Sequence, residues 1–366
     1  ICHCLVGSEM CIRDSLHKIN RYGLFLRSDL VLKLKKNYKK KIGVKPLVKR
    51  LTNNKSFCSL IVGNGQSILF EKYAKDFSYS QPQTIMSITK MFANLFVGEL
   101  LKNKKINLNK NVSYYLPKIG SGYANAKVQD ILNMNVVNAY TEDYTKAYSS
   151  SFMHEPVGGW RLPKSGQIKL SQEQYLNTIK NIKNRDLKNN SEYALYKSAN
   201  TDVIGLIIEK ISGIPLRDWI LSVVESAGFE DGLYIASDRY GMPWLSGGGC
   251  LITRDFLRMG LLFARKGKGV GKRQIGSAKF LNQTIKNICP KYMELSKNKY
   301  LYYSNSTMTS GNVIGHSGYG GQYLAINLKT GNVAAFFSVL ETKSATKESY
   351  KKDMINMLID IVNDKY

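Results

Sequence analysis

Residues 84–101 read TIMSITKMFANLFVGELL, a short polar stretch followed by a long apolar one. A helix that begins at about Ser87 would bring the Ser87 hydroxyl and the Lys90 amine onto one face, because residues three apart are neighbours on a helix surface. The apolar side chains that follow recur at helical spacing and would bury the helix: Phe92, Leu95, Phe96 and Leu100. The sequence therefore predicts a buried helix with a serine beside a lysine.

This serine and lysine are typical of a nucleophile site. Burial lowers the pKa of a lysine ammonium, so a neutral Lys90 could accept the proton of the Ser87 hydroxyl. The N-terminus of the helix also favours negative charge that develops near Ser87. The alternative is that Ser87 only caps the helix, as serine often does.

The Ser-x-x-Lys pattern occurs five times in this lysine-rich chain, so the pattern alone is not specific. Only Ser87 heads a long apolar helix. The other four serines adjoin the unusual N-terminal residues or lie in polar stretches: Ser15, Ser296, Ser344 and Ser349. Sequence context therefore selects Ser87 as the candidate nucleophile.

The composition is that of a folded protein with a basic surface. Of the 366 residues, 43% are hydrophobic and 11% aromatic, enough to bury a substantial core. The formal charge of +26 comes from 41 lysines and 12 arginines spread along the chain. No RNA- or DNA-binding motif surrounds them, so we expect a solvated surface and no specific nucleic-acid partner. The alternative, based on the net charge alone, is a nucleic-acid or envelope-surface binder. The cationic residues 29–50 have enough Leu and Val for an edge helix, with a membrane-surface role as its alternative to a solvated face.

Cysteine and histidine patterns indicate neither a disulfide framework nor a metal site, since no Cys-x-x-Cys spacing occurs. No apolar run reaches the ~18 residues that span a bilayer. Residues 1–15 lack an initiating Met and hold half of the cysteines, so we interpret them as a non-native leader. Because a native signal peptide could have been replaced or lost, the location stays open between cytoplasm and periplasm.

The order of predicted elements indicates an α+β fold. Residues 57–62 and 67–73 read as strands joined by a turn at residues 63–65, and a meander follows late in the chain at residues 313–318, 323–328 and 333–339. Helices are predicted between them and at the C-terminus, at residues 128–134, 201–211, 216–227, 253–264 and about 346–363, and Ser171 with Gln174 predicts a capping box that opens one more.

This order predicts one antiparallel sheet built from both chain ends, flanked by helices, with a mostly helical lobe inserted. The sheet lobe would take about residues 50–85 and 301–366, and the helical lobe about residues 86–300. Both belong to a single predicted domain, residues 16–366. Ser87 would then lie at the seam between the lobes, where ligand sites are common.

Two further stretches accompany Ser87. Residues 196–213 read YKSANTDVIGLIIEKISG, and residues 316–322 read HSGYGGQ. With Ser87 and Lys90, they make the chain resemble the serine β-lactamase and penicillin-binding-protein superfamily, which carries Ser-x-x-Lys, then Tyr-x-Asn or Ser-x-Asn, then Lys-Thr-Gly or a variant. The most similar branch holds class C β-lactamases, D-alanyl-D-alanine carboxypeptidases, esterases and 6-aminohexanoate-dimer hydrolases. The resemblance covers roughly residues 55–364 and implies a β-lactamase-like fold.

The resemblance implies a serine hydrolase of small amides or esters that works through an acyl-enzyme. Ser87 would attack the carbonyl, and Lys90 and Tyr196 would share the general-base and general-acid work, the phenol acting if neighbouring cations lower its pKa. The backbone N–H groups of Ser87 and Tyr319 would form the oxyanion hole. Four further residues would support these groups or the substrate: Ser198, His316, Ser317 and Gly318. No metal or cofactor is implied.

Two positions depart from the superfamily pattern. Ser198 stands where class C enzymes have Asn, which puts β-lactam recognition in doubt. A literal Lys329-Thr330-Gly331 exists, but it lies between two predicted strands where a turn belongs, so His316-Ser317-Gly318 is the predicted third motif. The alternatives are that Tyr196 is an ordinary core tyrosine and that His316 is a strand-end histidine satisfied by a neighbour.

Residues 138–163 are predicted to form a long loop that overhangs Ser87. Its aromatic side chains would suit an extended apolar or short-chain acyl substrate: Tyr140, Tyr144, Tyr148 and Trp160. We therefore expect readier cleavage of short-chain esters and linear amides, such as aminohexanoate oligomers, than of β-lactams. The alternatives are a β-lactamase or D-alanyl-D-alanine carboxypeptidase and, in another class, a catalytically silent binding module. The oligomeric state stays open.

Overall fold

The computed structural model describes residues 21–146, 148–163, 166, 169–183, 185–340 and 348–366. The predicted leader, residues 1–15, lies outside the described residues, as does Ser344. The grouping of residues 16–366 into one domain stays a prediction. Among the described helices, none combines the length and the apolarity needed to cross a membrane.

Thirteen strands occur in the described part of the chain. They are β1 (Tyr22–Phe25), β2 (Lys35–Lys36), β3 (Phe57–Asn64), β4 (Ser67–Tyr73), β5 (Gln83–Thr84), β6 (Leu233–Ala236), β7 (Gly249–Leu251), β8 (Lys291–Ser296), β9 (Lys299–Ser304), β10 (Thr307–Ser310), β11 (Val313–Gly318), β12 (Gln322–Asn327) and β13 (Asn332–Ser338).

The described helices comprise a 3₁₀ helix and thirteen α-helices. The 3₁₀ helix spans Met86–Lys90, and the α-helices are α1 (Lys40–Gly43), α2 (Pro46–Thr52), α3 (Met91–Lys102), α4 (Val112–Tyr115), α5 (Ser121–Ala124), α6 (Val128–Leu132), α7 (Ser150–Val157), α8 (Gln172–Asn177), α9 (Ser198–Ser212), α10 (Leu216–Ala227), α11 (Thr253–Ala264), α12 (Ala278–Lys286) and α13 (Glu348–Asn363).

The larger sheet joins the two ends of the chain, as predicted. Its nine strands run in the order β2-β4-β3-β13-β12-β11-β10-β9-β8, and every neighbouring pair is antiparallel except β2 with β4. The late strand β13 pairs directly with the early strand β3, with Ala335 opposite Ile61. Strands β3 and β4 form the predicted hairpin, and β11 to β13 form the predicted meander.

The two faces of this sheet bury different helices because side chains alternate along a strand. Leu60 and Val62 of β3 pack into a cluster with the C-terminal helix α13. Ile61 points the other way, into the main core with α3, α9 and α11. The helical lobe is therefore held against one face of the sheet, and the segment that bears Ser87 runs between them.

Several expectations for the middle of the chain were wrong. Residues 291–300, placed in the predicted helical lobe, belong to β8 and the start of β9, and a second sheet of order β1-β6-β7-β5 takes β6 and β7 from that lobe. Strand β8, KYMELS, is a half-exposed edge strand whose sequence lacks clear alternation. The predicted loop at residues 138–163 contains α7, and residues 29–50 form β2, α1 and α2 instead of one edge helix.

The remaining helix predictions are confirmed. Helices α10 and α11 have the predicted bounds, and α9 begins three residues earlier than the pattern indicated, at Ser198. The Ser171 hydroxyl accepts a hydrogen bond from the Gln174 N–H, and the Gln174 side-chain oxygen accepts one from the Ser171 N–H, which completes the capping box.

Helix α11 approaches the sheet closely because residue 260 is glycine. A Cβ atom there would lie 2.4 Å from Cγ1 of Val333 and 3.1 Å from Cδ1 of Leu324. We expect Gly260→Ala to lower the free energy of unfolding by about 1–3 kcal/mol through overpacking. Gly205→Ala in α9 is the matched control, since its nearest neighbour is 3.2 Å away and alanine favours a helix over glycine by about 1 kcal/mol. Urea unfolding measures both, and equal losses would contradict this packing.

Candidate active site

Ser87 lies in a tight turn between strand β5 and helix α3. The preceding residue, Met86, has a φ of 49°, a left-handed conformation that is uncommon for a residue with a side chain. Residues 86–90 form a 3₁₀ helix instead of the start of an α-helix. Because a 3₁₀ helix has three residues per turn, it aligns Ser87 directly with Lys90.

The Lys90 amine is buried among three oxygen atoms from separate parts of the chain. Its Nζ atom donates to Oγ of Ser87 at 3.1 Å, to Oγ of Ser198 at 3.1 Å and to the backbone carbonyl of Ser246. The side chain is wholly inaccessible to solvent. Burial lowers the pKa of Lys90 to about 8, although the carboxylates of Glu142 and Asp202 favour the charged form.

Ser198 opens helix α9 and connects Lys90 to a carboxylate that sequence reasoning missed. The Ser198 N–H donates to Glu142 at 2.8 Å, and the Ser198 hydroxyl donates to the other Glu142 oxygen at 2.6 Å. The Tyr144 hydroxyl donates to Glu142 as well. Glu142 comes 56 residues earlier in the chain, in a stretch without a recognisable motif, so only the folded chain reveals the contact.

Tyr196 lies beside the Lys90 amine, and the pKa of its phenol is shifted in the direction opposite to the one we expected. The Lys90 Nζ atom is 5.0 Å from the centre of the Tyr196 ring. Burial raises the pKa of the phenol well above its usual value, and nearby tyrosines and Glu142 act in the same direction. The Tyr196 hydroxyl is therefore protonated at neutral pH and can donate a proton or a hydrogen bond.

His316 lies behind the site rather than in it. Its Nδ1 atom is 2.7 Å from the Ser317 carbonyl, so it carries the proton, and Nε2 accepts from the Tyr303 hydroxyl at 3.1 Å. Burial lowers the pKa of His316 to about 3, which keeps the ring neutral. The ring also packs 6.1 Å from that of Tyr196. His316 can thus hold the end of β11 and Tyr196 in place.

The end of β11 packs against the backbone that precedes Ser87. A Cβ atom on Gly318 would lie 2.6 Å from the Ile85 carbonyl oxygen, so only glycine allows this approach. Ser317, Gly318 and Tyr319 line a pocket together with Ser87. The predicted third motif therefore flanks Ser87. Lys329 is exposed in the turn between β12 and β13, as the sequence predicted for the literal Lys-Thr-Gly.

The segment 138–163 covers the site, but its four aromatic residues have different positions. Tyr144 and Trp160 line a pocket with Ser87, whereas Tyr140 is buried behind it and Tyr148 is 86% exposed. The start of the segment is fixed by Lys197, whose Nζ atom donates to the backbone carbonyls of residues 138 and 140. Lys197 is a second residue that the sequence analysis did not single out.

Two pockets meet at Ser87. The first has mostly aromatic walls, supplied by Tyr144, Phe152, Trp160, Trp244 and Tyr319, and it contains the ion pair of Glu155 with Arg161. The second is lined by Tyr196, Tyr292, Ser317 and Lys351, among others. A substrate carbonyl at Ser87 would therefore have room on both sides, with a charged group in each pocket.

Comparison with known proteins assigns the chain to a family. The family model described as Beta-lactamase matches residues 59–352. A curated relative, the 6-aminohexanoate-dimer hydrolase of Paenarthrobacter ureafaciens, is 27% identical over 219 residues. That match spans 59% of this chain and 54% of the relative, so the chain spans about half the length of the curated protein it matches.

Solved structures share the fold. A provisionally named 6-aminohexanoate-dimer hydrolase of Bacillus anthracis superposes with a TM-score of 0.78 at 19% identity, covering 97% of this chain and 94% of that one. A D-stereospecific amidohydrolase of Streptomyces sp. superposes with a TM-score of 0.59 at 15% identity, covering 84% and 95%. The matched family model spans most of the chain, including the three motifs around Ser87, and the protein belongs to the beta-lactamase family.

Proposed function

We propose that this protein is a serine hydrolase that cleaves small amides or esters through an acyl-enzyme on Ser87. The observation that carries the proposal is the contact of the buried Lys90 amine with the Ser87 hydroxyl at 3.1 Å, together with a Lys90 pKa of about 8. A lysine with this pKa is neutral in a useful fraction of molecules near neutral pH and can act as a general base.

In acylation, the neutral Lys90 amine takes the proton of the Ser87 hydroxyl while Oγ attacks the substrate carbonyl. Lys90 becomes an ammonium, and the carbonyl becomes a tetrahedral oxyanion. The N–H groups of Ser87 and Tyr319 would stabilise that oxyanion by donating hydrogen bonds to it. Loss of one such donor typically lowers the rate by about 100- to 1,000-fold. Collapse of the intermediate breaks the bond to the leaving amine or alcohol.

The leaving group needs a proton, and we assign its delivery to Tyr196. Its phenol is protonated, and its ring lies beside the Lys90 ammonium, which can replace the proton that Tyr196 gives up. The leaving group departs neutral, and an ester is left on Ser87. In deacylation the Lys90 amine takes a proton from a water molecule as the water oxygen attacks the ester carbonyl. The Lys90 ammonium then returns that proton to Oγ of Ser87 as the ester bond breaks, and the acid is released.

Charged side chains in both pockets support a linear substrate with a charged group at each end. The aromatic first pocket contains the ion pair of Glu155 with Arg161. The second contains the Lys351 ammonium and Glu142, whose carboxylate already accepts from the Ser198 hydroxyl. The curated relative is named for a dimer of 6-aminohexanoate, which is a linear amide with an amine at one end and a carboxylate at the other. This charge arrangement supports a 6-aminohexanoate-dimer-hydrolase-like or carboxylesterase-like specificity.

β-Lactamase or D-alanyl-D-alanine carboxypeptidase activity is the second candidate, and the polar anchors count against it. The Ser198 hydroxyl is committed to Lys90 and Glu142, so it is not free to hold a β-lactam side-chain amide. Gly318 pairs with the first residue of β12, whereas Lys329 lies in the turn that follows the last residue of that strand. The literal Lys-Thr-Gly is therefore at the opposite end of β12 from Gly318. A catalytically silent binding module is the third candidate, and the contact between Ser87 and Lys90 argues against it.

Covalent labelling tests the proposed nucleophile. A fluorophosphonate probe should label the wild-type protein at Ser87, and the labelling rate should rise as pH rises through about 8, because Lys90 then loses its proton. Ser87→Ala should abolish labelling, and Lys90→Ala should slow it by orders of magnitude.

Lys329→Ala is the control, since it removes an exposed lysine from the literal Lys-Thr-Gly and should label at the wild-type rate. Undiminished labelling of Ser87→Ala would overturn the assignment of the nucleophile. Circular dichroism confirms that each variant is folded.

Specificity is tested by kcat/KM for three substrates, namely nitrocefin, p-nitrophenyl butyrate and a 6-aminohexanoate dimer. We expect measurable turnover of the ester and the dimer and weak or no turnover of nitrocefin, and efficient nitrocefin turnover would contradict the assigned specificity. Lys351→Gln should raise KM for the dimer by about tenfold, as expected for loss of a charge-assisted contact, and leave the ester unchanged. Lys352→Gln is the matched control, because Lys352 is the next residue on α13 and pairs with Glu348.

A further inference from the structure

A set of buried ionisable groups lies behind Lys90 and is not used in the mechanism above. The Ser246 carbonyl accepts from Lys90, and the N–H of the same residue donates to Oδ1 of Asp202 at 3.0 Å. The other oxygen of Asp202 is 3.4 Å from Nε2 of His154. Asp202 and His154 are both wholly buried, on helices α9 and α7.

His154 is fixed on its other side, which determines where its proton lies. Its Nδ1 atom is 3.2 Å from the Tyr140 hydroxyl, which stays protonated because burial raises the pKa of that phenol well above its usual value, and we assign the hydroxyl as the donor. The remaining proton of the neutral ring is then on Nε2, facing Asp202. The ring is stacked on Tyr175 at 4.8 Å and meets Trp244 edge-on at 5.9 Å.

We infer that Asp202 is a positioning residue whose carboxylate, next to His154, orients the Ser246 peptide toward Lys90 and stabilises the ammonium that forms when Lys90 takes the proton of Ser87. The inference rests on the proposed function. The carboxylate keeps its charge throughout and takes no proton. Its part is to make Lys90 a stronger base than burial alone would allow.

The charges around Lys90 agree with this role. Burial raises the pKa of Asp202 to about 7, while the Ser246 N–H and Lys90 oppose the increase. Asp202 is therefore ionised at the pH at which Lys90 loses its proton, about 8. The ionisable groups that face the two residues from the elements packed around them are Tyr123, Glu142, His154, Tyr175, Tyr196 and His316. Glu142 acts on Lys90 in the same direction as Asp202, so removal of Asp202 leaves one carboxylate.

The sign of the effect follows from the charge. An ionised Asp202 favours the Lys90 ammonium and raises the pKa of Lys90. Asp202→Asn removes the charge but keeps the size of the side chain, so the Lys90 pKa should fall by about one unit, a usual size for a neighbouring charge. In a plot of the rate of Ser87 labelling against pH, the rise on the acid side (the acid limb) then moves to lower pH. The maximum rate, the plateau, falls by up to about tenfold because the amine is a weaker base.

The experiment measures the rate of Ser87 labelling by a fluorophosphonate from pH 5 to 10 in the full chain. We expect the acid limb of Asp202→Asn about one pH unit below that of the wild type, with a lower plateau. His154→Phe keeps the aromatic stacking but removes the polar imidazole nitrogen 3.4 Å from Asp202. The carboxylate then takes a proton at higher pH, so the acid limb of this variant should move in the same direction, and this variant supplies the test if Asp202→Asn does not fold. Asp218→Asn removes an exposed carboxylate on α10 and should leave the profile unchanged.

An unshifted limb in the folded Asp202→Asn or His154→Phe variant would overturn the inference, because a purely structural role would lower the rate equally at every pH. Failure of the wild-type protein to label at Ser87 is a different result, and it would overturn the proposed function itself. Thermal melting of each variant separates a loss of folding from a change in proton affinity.

Discussion

The structure depends on burying one lysine amine, that of Lys90, next to a hydroxyl. An ammonium in a protein interior loses its hydration, so burial favours the neutral amine and is tolerated only where hydrogen-bond acceptors surround the nitrogen. Here the acceptors come from Ser87, Ser198 and Ser246, which are far apart in the sequence. The 3₁₀ helix, the start of α9 and the turn before β7 must therefore meet at one point, and the arrangement of the two sheets brings them there.

Two carboxylates set the basicity of this amine from opposite sides. Glu142 reaches it through the Ser198 hydroxyl, and Asp202 reaches it through the Ser246 peptide. Burial lowers the pKa of Lys90, and both carboxylates oppose that decrease. The resulting pKa of Lys90 is about 8. The large net charge of +26 has no part in this balance, because screening by salt weakens the effect of exposed lysines on a buried site.

The sequence predicted the parts of the site that depend on short spacing. Ser87 and Lys90 are three residues apart, and strands β11 to β13 alternate clearly, so the nucleophile pair and the strand beside it could be inferred. The residues that surround Lys90 could not be inferred, because Glu142, Asp202 and Ser246 are brought to it by tertiary contacts between distant segments. A pKa direction depends on burial, which is why the expectation for the Tyr196 phenol was reversed.

The fold was predicted to a similar extent. The sheet from both chain ends followed from clear strand patterns at residues 57–73 and 313–339, whereas β8 and the short strands β5, β6 and β7 have few residues or no alternation. The turn at Met86 was also missed, since a positive φ at a methionine has no sequence signal of the kind that glycine provides.

The central claim is that Lys90 holds its proton weakly enough to act as a base, and NMR of the protein with ¹³C-labelled lysine Cε atoms tests it directly. Lys90→Met identifies the Lys90 resonance by its loss, and Lys197→Met identifies that of Lys197, which is also buried and whose pKa burial also lowers to about 8. The account predicts that the Lys90 resonance titrates at about 8. A Lys90 resonance that titrates at the ordinary lysine value, about 10.4, would contradict it.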